Sequence, residues 1–322
     1  MMQDAIEGFA KQFLYKPVIQ NKEKLKKKKR VIVLGMGGSH LAADLALAYD
    51  PSLPLTVHTD YGLPAMPAQD LRDTLVIASS YSGNTEEIIE GFQLALKQKL
   101  AVAAITVGGK LLDSAKQQKI PYVQMPDTGI QPRSALGFNL LGILAIMGES
   151  AAMKQAAAVA RSLKPKMIEP KGAALARKLK DHVPVIYSSA RNQSIAYNWK
   201  IKFNETGKIP GFYNVFSELN HNEMTRFDVQ PKSRHLSRPF HFIFLKDKKD
   251  HPKIQKRMDV MKKLYEKRGL PVTALELIGT NPFTKIFTSL VLADWTALHT
   301  ASLYGLEPEQ VPMVVEFKKL IA

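Results

Sequence analysis

The stretch TLVIASSYSGNTEEIIEGFQLALKQ, residues 74–98, decides the fold class. It begins with a continuous apolar run, which is typical of a parallel strand covered by helices on both faces. A turn rich in serine follows, and the remaining residues repeat at helical spacing. The turn carries hydroxyl groups on Ser79, Ser80, Ser82 and Thr85, which is more than a strand-to-helix turn requires.

Two further segments show the same strand–turn–helix pattern. RVIVLG (30–35) passes through a glycine-rich turn into HLAADLALAY, and HVPVIYSSA (182–190) passes through a serine-rich turn into YNWKIKFNETGK. Strands that alternate with helices indicate βαβ units. We therefore predict an α/β fold with two doubly wound parallel sheets and helices on both faces. The predicted domains are 1–160 and 161–322, and KPKMIEPKG (164–172) is the candidate linker.

Length and composition limit the functions to consider. A chain of 322 residues suggests two domains, because single cores seldom exceed about 250–300 residues. The absence of cysteine excludes disulfides and thiolate metal sites, and it fits a reducing cytoplasm, where we expect the protein. Apolar stretches end before the roughly 20 residues that a membrane span needs, and the N-terminus lacks a signal-peptide layout. We predict no membrane association.

The net charge of +16 suggests either an anionic partner or a solvated basic surface. The densest basic block, NKEKLKKKKR (21–30), contains no aromatic residue on which a base could stack. We interpret it as a solvated helix end and predict no nucleic-acid partner. A phosphorylated small molecule is the other anion that the charge would suit.

Two turns have the residues to hold such an anion. GMGGS (35–39) allows close approach of the backbone, and the helix after it offers free N–H groups. The hydroxyls of Ser80, Ser82 and Thr85 can bind phosphate oxygens together with backbone N–H groups. Turns at adjacent strand ends outline a crevice in which open α/β sheets bind ligands.

Each turn also has a purely structural explanation. The glycines fit neither the GxGxxG pattern nor the P-loop, and tight packing of a helix on a strand would explain them equally well. Asn84 and Glu87 have the spacing of an N-cap and its capping-box partner. Glu86 and Glu87 disfavour an anion unless they point away from it.

The two turns together resemble the paired loops of the sugar isomerase (SIS) domain, which binds phosphosugars. The second half narrows this resemblance, because WKIKFNETGKIPGFYNVFSELNHNEM (199–224) is similar to the signature of bifunctional phosphoglucose/phosphomannose isomerases. DTGIQPRSALGF (127–138) resembles the Pro-Arg segment of that family. GLEPEQVPMVVEFKKLIA (305–322) resembles its C-terminal ending, with Glu307 where Asp is usual. The resemblance implies two SIS-type, flavodoxin-like subdomains.

It also implies site residues. Gly38 and Ser39 from the first loop, and the three hydroxyls of the second, would bind the substrate phosphate. Glu205 would carry the proton between C1 and C2, Arg133 would stabilise the enediolate, and His221 would open the sugar ring. In the family the histidine comes from a neighbouring subunit, which implies a homodimer with shared sites. Neither a cofactor nor a metal is implied.

Simpler interpretations stand beside these roles. Glu205 on a helix could be a solvated carboxylate, His221 a loop histidine, and Arg133 the partner of a surface carboxylate. Glu218 and Glu223 would hold the histidine loop. His299 lies where some family members have a lysine; a protonated His299 could contact the substrate in its place, whereas a neutral one would simply pack in an apolar helix.

The leading hypothesis is an aldose–ketose isomerase that interconverts glucose 6-phosphate and mannose 6-phosphate with fructose 6-phosphate through a cis-enediol. One alternative is a non-catalytic phosphosugar sensor of the SIS type. Such regulators usually carry a helix-turn-helix module, and the sequence shows no separate basic module. The other alternative is an isomerase of another sugar phosphate, which the block SELNHNE disfavours.

Overall fold

The structure, a computed structural model, describes residues 1–321, which fold as two compact units. The first unit is Gly8–Leu163. The second unit combines the N-terminal helix α1 (Met2–Glu7) with the chain from Lys164 onward. An ion pair of 2.7 Å between Glu7 Oε2 and Lys166 Nζ attaches α1 to this second unit.

The first unit is built on one six-stranded sheet. Its strands are β1 (Ile19–Gln20), β2 (Arg30–Gly35), β3 (Leu55–His58), β4 (Thr74–Ser79), β5 (Ala101–Thr106) and β6 (Tyr122–Gln124). Their order is β1-β6-β5-β4-β2-β3, and only β1 runs antiparallel to its neighbour. The strands predicted at 30–35 and 74–80 are confirmed as β2 and β4. Every residue of β4 is buried, which explains its continuous apolar run.

Helices cover both faces of this sheet. They are α2 (Gly38–Tyr49), α3 (Ala68–Arg72), α4 (Glu86–Lys97), α5 (Gly109–Gln117), α6 (Leu136–Met147), α7 (Ser150–Ala157) and α8 (Val159–Ser162). On one face, Phe92 of α4 and Leu111 of α5 pack with Val76. On the other, Gly142 of α6 lies so close to Ile105 that an added methyl group would sit 3.3 Å away. The predicted doubly wound arrangement is confirmed for this unit.

The basic block at residues 21–30 is mostly exposed but is not the end of an α-helix. A short 3₁₀ turn spans Lys22–Lys24, and the chain then runs without regular structure to β2. Lysines in succession with no apolar face give a helix nothing to pack with, so the predicted helix end is wrong.

The second unit is built on a four-stranded sheet whose strands are all parallel. Its strands are β7 (Val183–Ser189), β8 (Phe212–Phe216), β9 (Phe240–Lys246) and β10 (Val272–Glu276), in the order β10-β9-β7-β8. Its helices are α9 (Pro165–Leu179), α10 (Gln193–Lys202), α11 (Glu223–Arg226), α12 (Arg234–Ser237), α13 (Pro252–Lys267), α14 (Pro282–Leu303) and α15 (Pro312–Ile321). Aromatic side chains dominate the core between the sheet and α13, where Tyr187, Phe242 and Tyr265 are in contact.

The linker predicted at 164–172 is wrong, because α9 runs through it. Pro165 occupies the first turn of the helix, where a missing N–H costs nothing, and Pro170 is accommodated further along. Gly172 allows close packing on α14, since a methyl group there would lie 2.4 Å from Trp295 Cβ. The functional domains 1–160 and 161–322 stay a prediction. Within residues 1–321, no helix has both the length and the apolar character to cross a bilayer.

Candidate functional site

The first glycine-rich turn packs against the segment that carries Arg133. Gly37 adopts a positive φ of 50° immediately before α2. A methyl group on Gly38 would lie 2.7 Å from the backbone nitrogen of Arg133, so only glycine allows this approach. The structure therefore brings together two residues that the sequence indicated separately.

Arg133 is a buried cation, with only 2% of its surface exposed. It lies in a 3₁₀ turn, Pro132–Ser134, that precedes α6. The buried amide of Gln12 holds this turn from both sides: Nε2 donates to the Ser134 carbonyl at 2.7 Å, and Oε1 accepts from the Gly137 N–H at 2.9 Å. Arg133 is thus part of an ordered buried turn, and its interpretation as the partner of a surface carboxylate is disfavoured.

Ser39 connects the two predicted phosphate turns. Its Oγ accepts a hydrogen bond from the backbone N–H of Tyr81 at 2.9 Å. Its carbonyl oxygen accepts from Ser79 Oγ at 3.1 Å and from Asn139 Nδ2 at 2.8 Å. The carboxyl ends of β2 and β4, which are neighbouring parallel strands, therefore share one hydrogen-bonded network.

The second turn is closed by its own hydroxyl groups. Ser80 is fully buried, its Oγ lies 2.9 Å from Thr85 Oγ1, and it accepts from the Gly83 N–H at 3.1 Å. Ser82 is exposed and accepts from the N–H of Asn84 at 3.3 Å. The buried and the exposed hydroxyls thus differ in how firmly the turn holds them.

The capping-box explanation for this turn is wrong. Thr85, not Asn84, is the N-cap of α4, and its side chain makes no capping hydrogen bond. Asn84 Oδ1 instead accepts from the Lys110 N–H at 3.1 Å, which ties the turn to α5. Glu86 is exposed, and one of its oxygens accepts from Tyr61 OH at 3.4 Å. The first N–H groups of α4 are therefore available to other acceptors. An anion is the kind of acceptor that a helix N-terminus can bind.

Glu205 lies on a π turn that the sequence did not predict. α10 continues at Lys202 directly into a π-helical segment, Phe203–Gly207, and Glu205 is half-buried at its centre. Side-chain periodicity does not distinguish a single π turn from an α-helix, so no signal in the sequence would have found it. Such turns occur frequently at functional sites.

A groove with a volume of about 660 Å³ opens beside Glu205 in the second unit. Lys208 fixes its wall, because its Nζ donates to the Glu205 carbonyl oxygen at 2.8 Å and also to the Gln310 carbonyl oxygen. The groove is lined by Lys200, Asn204, Glu205, Lys208, Ile209, Pro210, Gly211, Phe212 and Val311–Val314. The family-like C-terminal segment therefore lies close to the proposed base.

His221 is exposed and does not line this groove among the described residues. It follows a 3₁₀ turn, Glu218–Asn220, and its N–H donates to the Glu218 carbonyl oxygen at 2.9 Å. Glu223 anchors the same loop by accepting from Tyr187 OH and from Asn214 Nδ2. Burial, together with Tyr265 and Glu223, raises the pKa of Tyr187 far above its usual range, so its hydroxyl stays a donor. Glu223 thus has the contacts of a structural residue.

Comparisons with known proteins identify the family of this chain. Residues 168–321 match the family described as the bacterial phospho-glucose isomerase C-terminal SIS domain. The bifunctional phosphoglucose/phosphomannose isomerase of Aquifex aeolicus is 31% identical over 98% of this chain and 96% of that protein. The protein of the same name from Caldicellulosiruptor bescii is 33% identical over 91% of this chain and 89% of that protein. The chain belongs to the bifunctional phosphoglucose/phosphomannose isomerase family.

A solved structure shares the fold of this family member. Glucosamine-6-phosphate deaminase from Thermotoga maritima superposes with a TM-score of 0.69 at 17% identity, over 97% of this chain and 96% of that chain. At this identity the similarity concerns the fold alone. The predicted α/β class with SIS-type subdomains is confirmed.

His299 faces away from the π turn in this member of the family. Its ring stacks on Trp295, and its Nε2 lies 3.3 Å from Glu169 Oε1 on α9. Ala297, two residues earlier, is on the side of α14 that contacts Gly207 of the π turn. Two residues correspond to about 200° around a helix, so the two positions are on opposite sides. A contact of His299 with substrate stays a prediction, and no contact among the described residues of this unit supports it.

The other predicted residues divide between the two units. Arg133 and the five phosphate-binding candidates belong to the first unit, whereas Glu205, His221 and His299 belong to the second. Across residues 1–321 there is no group of three or more His, Asp or Glu side chains that could hold a metal ion. The roles of all these residues stay predictions.

Proposed function

We propose that this protein interconverts glucose 6-phosphate and mannose 6-phosphate with fructose 6-phosphate. Membership of the bifunctional phosphoglucose/phosphomannose isomerase family carries this proposal, because relatives with that name match it over nearly their whole length. The SIS-type loops joined through Ser39 support the phosphosugar as substrate. These similarities do not favour a non-catalytic sensor or an isomerase of another sugar phosphate.

The two joined turns bind the phosphate group in this proposal. Backbone N–H groups near Gly38 and at the start of α4 donate to the phosphate oxygens, and the positive ends of the helices add to the attraction. The hydroxyl groups that take part are those of Ser39, Ser80, Ser82 and Thr85. A phosphate held at these points leaves the sugar carbons free to reach groups further away.

The proposed chemistry is proton transfer between neighbouring carbons. His221 opens the ring by moving the proton of the 1-hydroxyl to the ring oxygen, which leaves C1 as the aldehyde. Glu205 then removes the proton from C2 of the open aldose and returns it to C1, while the proton of the 2-hydroxyl moves to the C1 oxygen. The buried guanidinium of Arg133 stabilises the negative charge on the enediolate. Both epimers at C2 give the same enediol, which accounts for a single site acting on both aldoses.

A homodimer completes the proposal. The exposed position of His221 suits a side chain that serves the site of a second subunit. Helix α15 exposes Met313, Phe317 and Leu320, and an apolar surface of this kind suits an interface. We place the enzyme in the cytoplasm and in carbohydrate metabolism, including glycolysis.

Replacing Glu205 by Gln tests the proposed base. The amide keeps the size of the side chain but cannot accept the C2 proton, so we expect kcat to fall by about a thousandfold or more with both aldoses. Sugar-phosphate binding, measured by calorimetry, should persist. Glu266→Gln is the matched control, because this carboxylate lies on the exposed surface of α13 and pairs with Lys262. Near-normal turnover by Glu205→Gln would mean that Glu205 is not the base.

A further inference from the structure

An ion pair is buried at the start of the π turn that carries Glu205. Lys202 is the last residue of α10, and none of its surface is exposed. Its Nζ lies 2.8 Å from Oδ1 of Asp294 on α14, whose side chain is only 6% exposed. Both charges are therefore removed from water in the interior of the second unit.

Stability alone does not explain this pair. Moving two charges out of water costs about as much as their attraction returns, and apolar residues of similar volume are often as stable. The same two helices are also joined elsewhere, since Trp199 Nε1 donates to Ser289 Oγ at 3.0 Å. A second connection that uses two buried charges therefore indicates that the start of the π turn has to be held in a defined position.

The π turn meets α14 at both of its ends. Lys202 at its start pairs with Asp294, and Gly207 at its end packs on α14, since an added methyl group there would be in ordinary contact with Ala297 Cα at 3.6 Å. Asp294 and Ala297 are three residues apart and share one face of α14. Glu205 lies between the two attachments, on a segment whose hydrogen-bond pattern is intrinsically less regular than that of an α-helix.

We propose that Lys202 and Asp294 are positioning residues for Glu205. Their ion pair fixes the start of the π turn on α14, so that the carboxylate of Glu205 is held where the C1 and C2 protons are transferred. This inference rests on the proposed function, in which Glu205 is the base. Misplacing a catalytic group by about 1 Å can lower a rate about a hundredfold.

The double variant Lys202→Met/Asp294→Leu is the main test, because it removes both charges and keeps similar volumes. We expect a folded protein whose kcat falls about a hundredfold, while KM for glucose 6-phosphate stays within about twofold because the phosphate-binding turns are intact. Ser289→Ala is the matched control, since it removes a different polar link between α10 and α14. It should keep the parental kcat.

A milder variant keeps the test informative if the double variant unfolds. Asp294→Asn retains the shape and an acceptor oxygen for Lys202, and we expect about a tenfold loss of kcat with KM unchanged. Parental kcat in either folded variant overturns the inference. Glu205→Gln is assayed in parallel: if it is inactive while the double variant is fully active, only the positioning role fails. If Glu205→Gln is itself active, the proposed function fails first.

Discussion

The two units each contain a hydroxyl-rich turn after a buried parallel strand, and the two turns use their hydroxyls differently. In the first unit the turn after β4 places Ser80 beside Thr85 and the N–H of Gly83. In the second unit β7 ends in Ser188 and Ser189, and Asn192 lies in the turn that follows. Among the described residues, the side-chain partners of Ser80 are neutral, whereas those of Ser189 include a carboxylate.

The turn after β7 is part of a buried charged network. Ser189 Oγ donates to Asp250 Oδ1 at 2.6 Å, and Asn192 Nδ2 lies 3.2 Å from the same oxygen. Asp247 is paired with Lys285 and lies 3.4 Å from Asn192 Nδ2. A phosphate would meet two carboxylates here, so its binding is opposed. Serine after a strand therefore does not by itself indicate an anion site; the groups opposite the turn decide.

The largest predicted effect is a loss of stability, and it differs between the two carboxylates of this network. Asp247→Asn leaves the buried ammonium of Lys285 without its paired charge, and we expect a loss of about 3 kcal/mol or more at pH 7. Asp250→Asn should cost much less, because burial and the neighbouring Asp247 raise the pKa of Asp250 and make its ionised form unfavourable. Urea unfolding of both variants gives the two free energies.

The pH dependence of the two variants should have opposite signs. Burial opposes the ionisation of Asp247, but hydrogen bonds from Lys285 and the Lys249 N–H outweigh it and lower its pKa. Asp247 therefore stabilises the fold above its unfolded pKa of about 4, and this contribution is lost as the pH falls. The raised pKa of Asp250 stabilises the fold at acid pH, and the contribution is lost as the pH rises through its folded value. The free energy of unfolding of Asp250→Asn should thus rise relative to that of the parent as the pH increases from about 4 to about 7. Parallel curves of stability against pH for the two variants would contradict this.

Some parts of this comparison could be predicted from the sequence, and others could not. Continuous apolar runs identified β2, β4 and β7 because buried parallel strands need them. β1 has only two residues, and β8 has no buried residue before Phe216, so neither gave a clear pattern. The approach of Gly38 to Arg133 depends on how distant segments pack, and the carboxylates opposite Ser189 come from a loop after β9. Local sequence contains neither fact.

The next prediction compares two glycines with left-handed backbones. A methyl group on Gly83 would lie 1.8 Å from the Gly108 carbonyl oxygen, whereas one on Gly148 would meet nothing within 4 Å. Gly83→Ala must therefore displace the turn after β4, and we expect kcat/KM for glucose 6-phosphate to fall about a hundredfold. Gly148→Ala should cost only the backbone strain, about 1–2 kcal/mol, and leave the kinetics unchanged. Equal kinetics in the two variants would show that the shape of the turn after β4 does not matter for substrate binding.

The smallest effect is expected from removing one hydroxyl from each turn. In the proposed function Ser80 donates to the substrate phosphate, and a hydrogen bond to a charged group contributes about 1.5–3 kcal/mol. Ser80→Ala should therefore raise KM by about tenfold to a hundredfold. Ser189→Ala should leave KM unchanged and lower stability by about 1–3 kcal/mol, because Asp250 loses a donor in a buried site. Initial rates and urea unfolding are measured on both variants. If the turn after β4 binds substrate and the turn after β7 only supports the fold, Ser80→Ala changes mainly KM and Ser189→Ala changes mainly stability. A rise in KM with Ser189→Ala would instead mean that the charged network acts on the site, and the distinction between the two turns would fail.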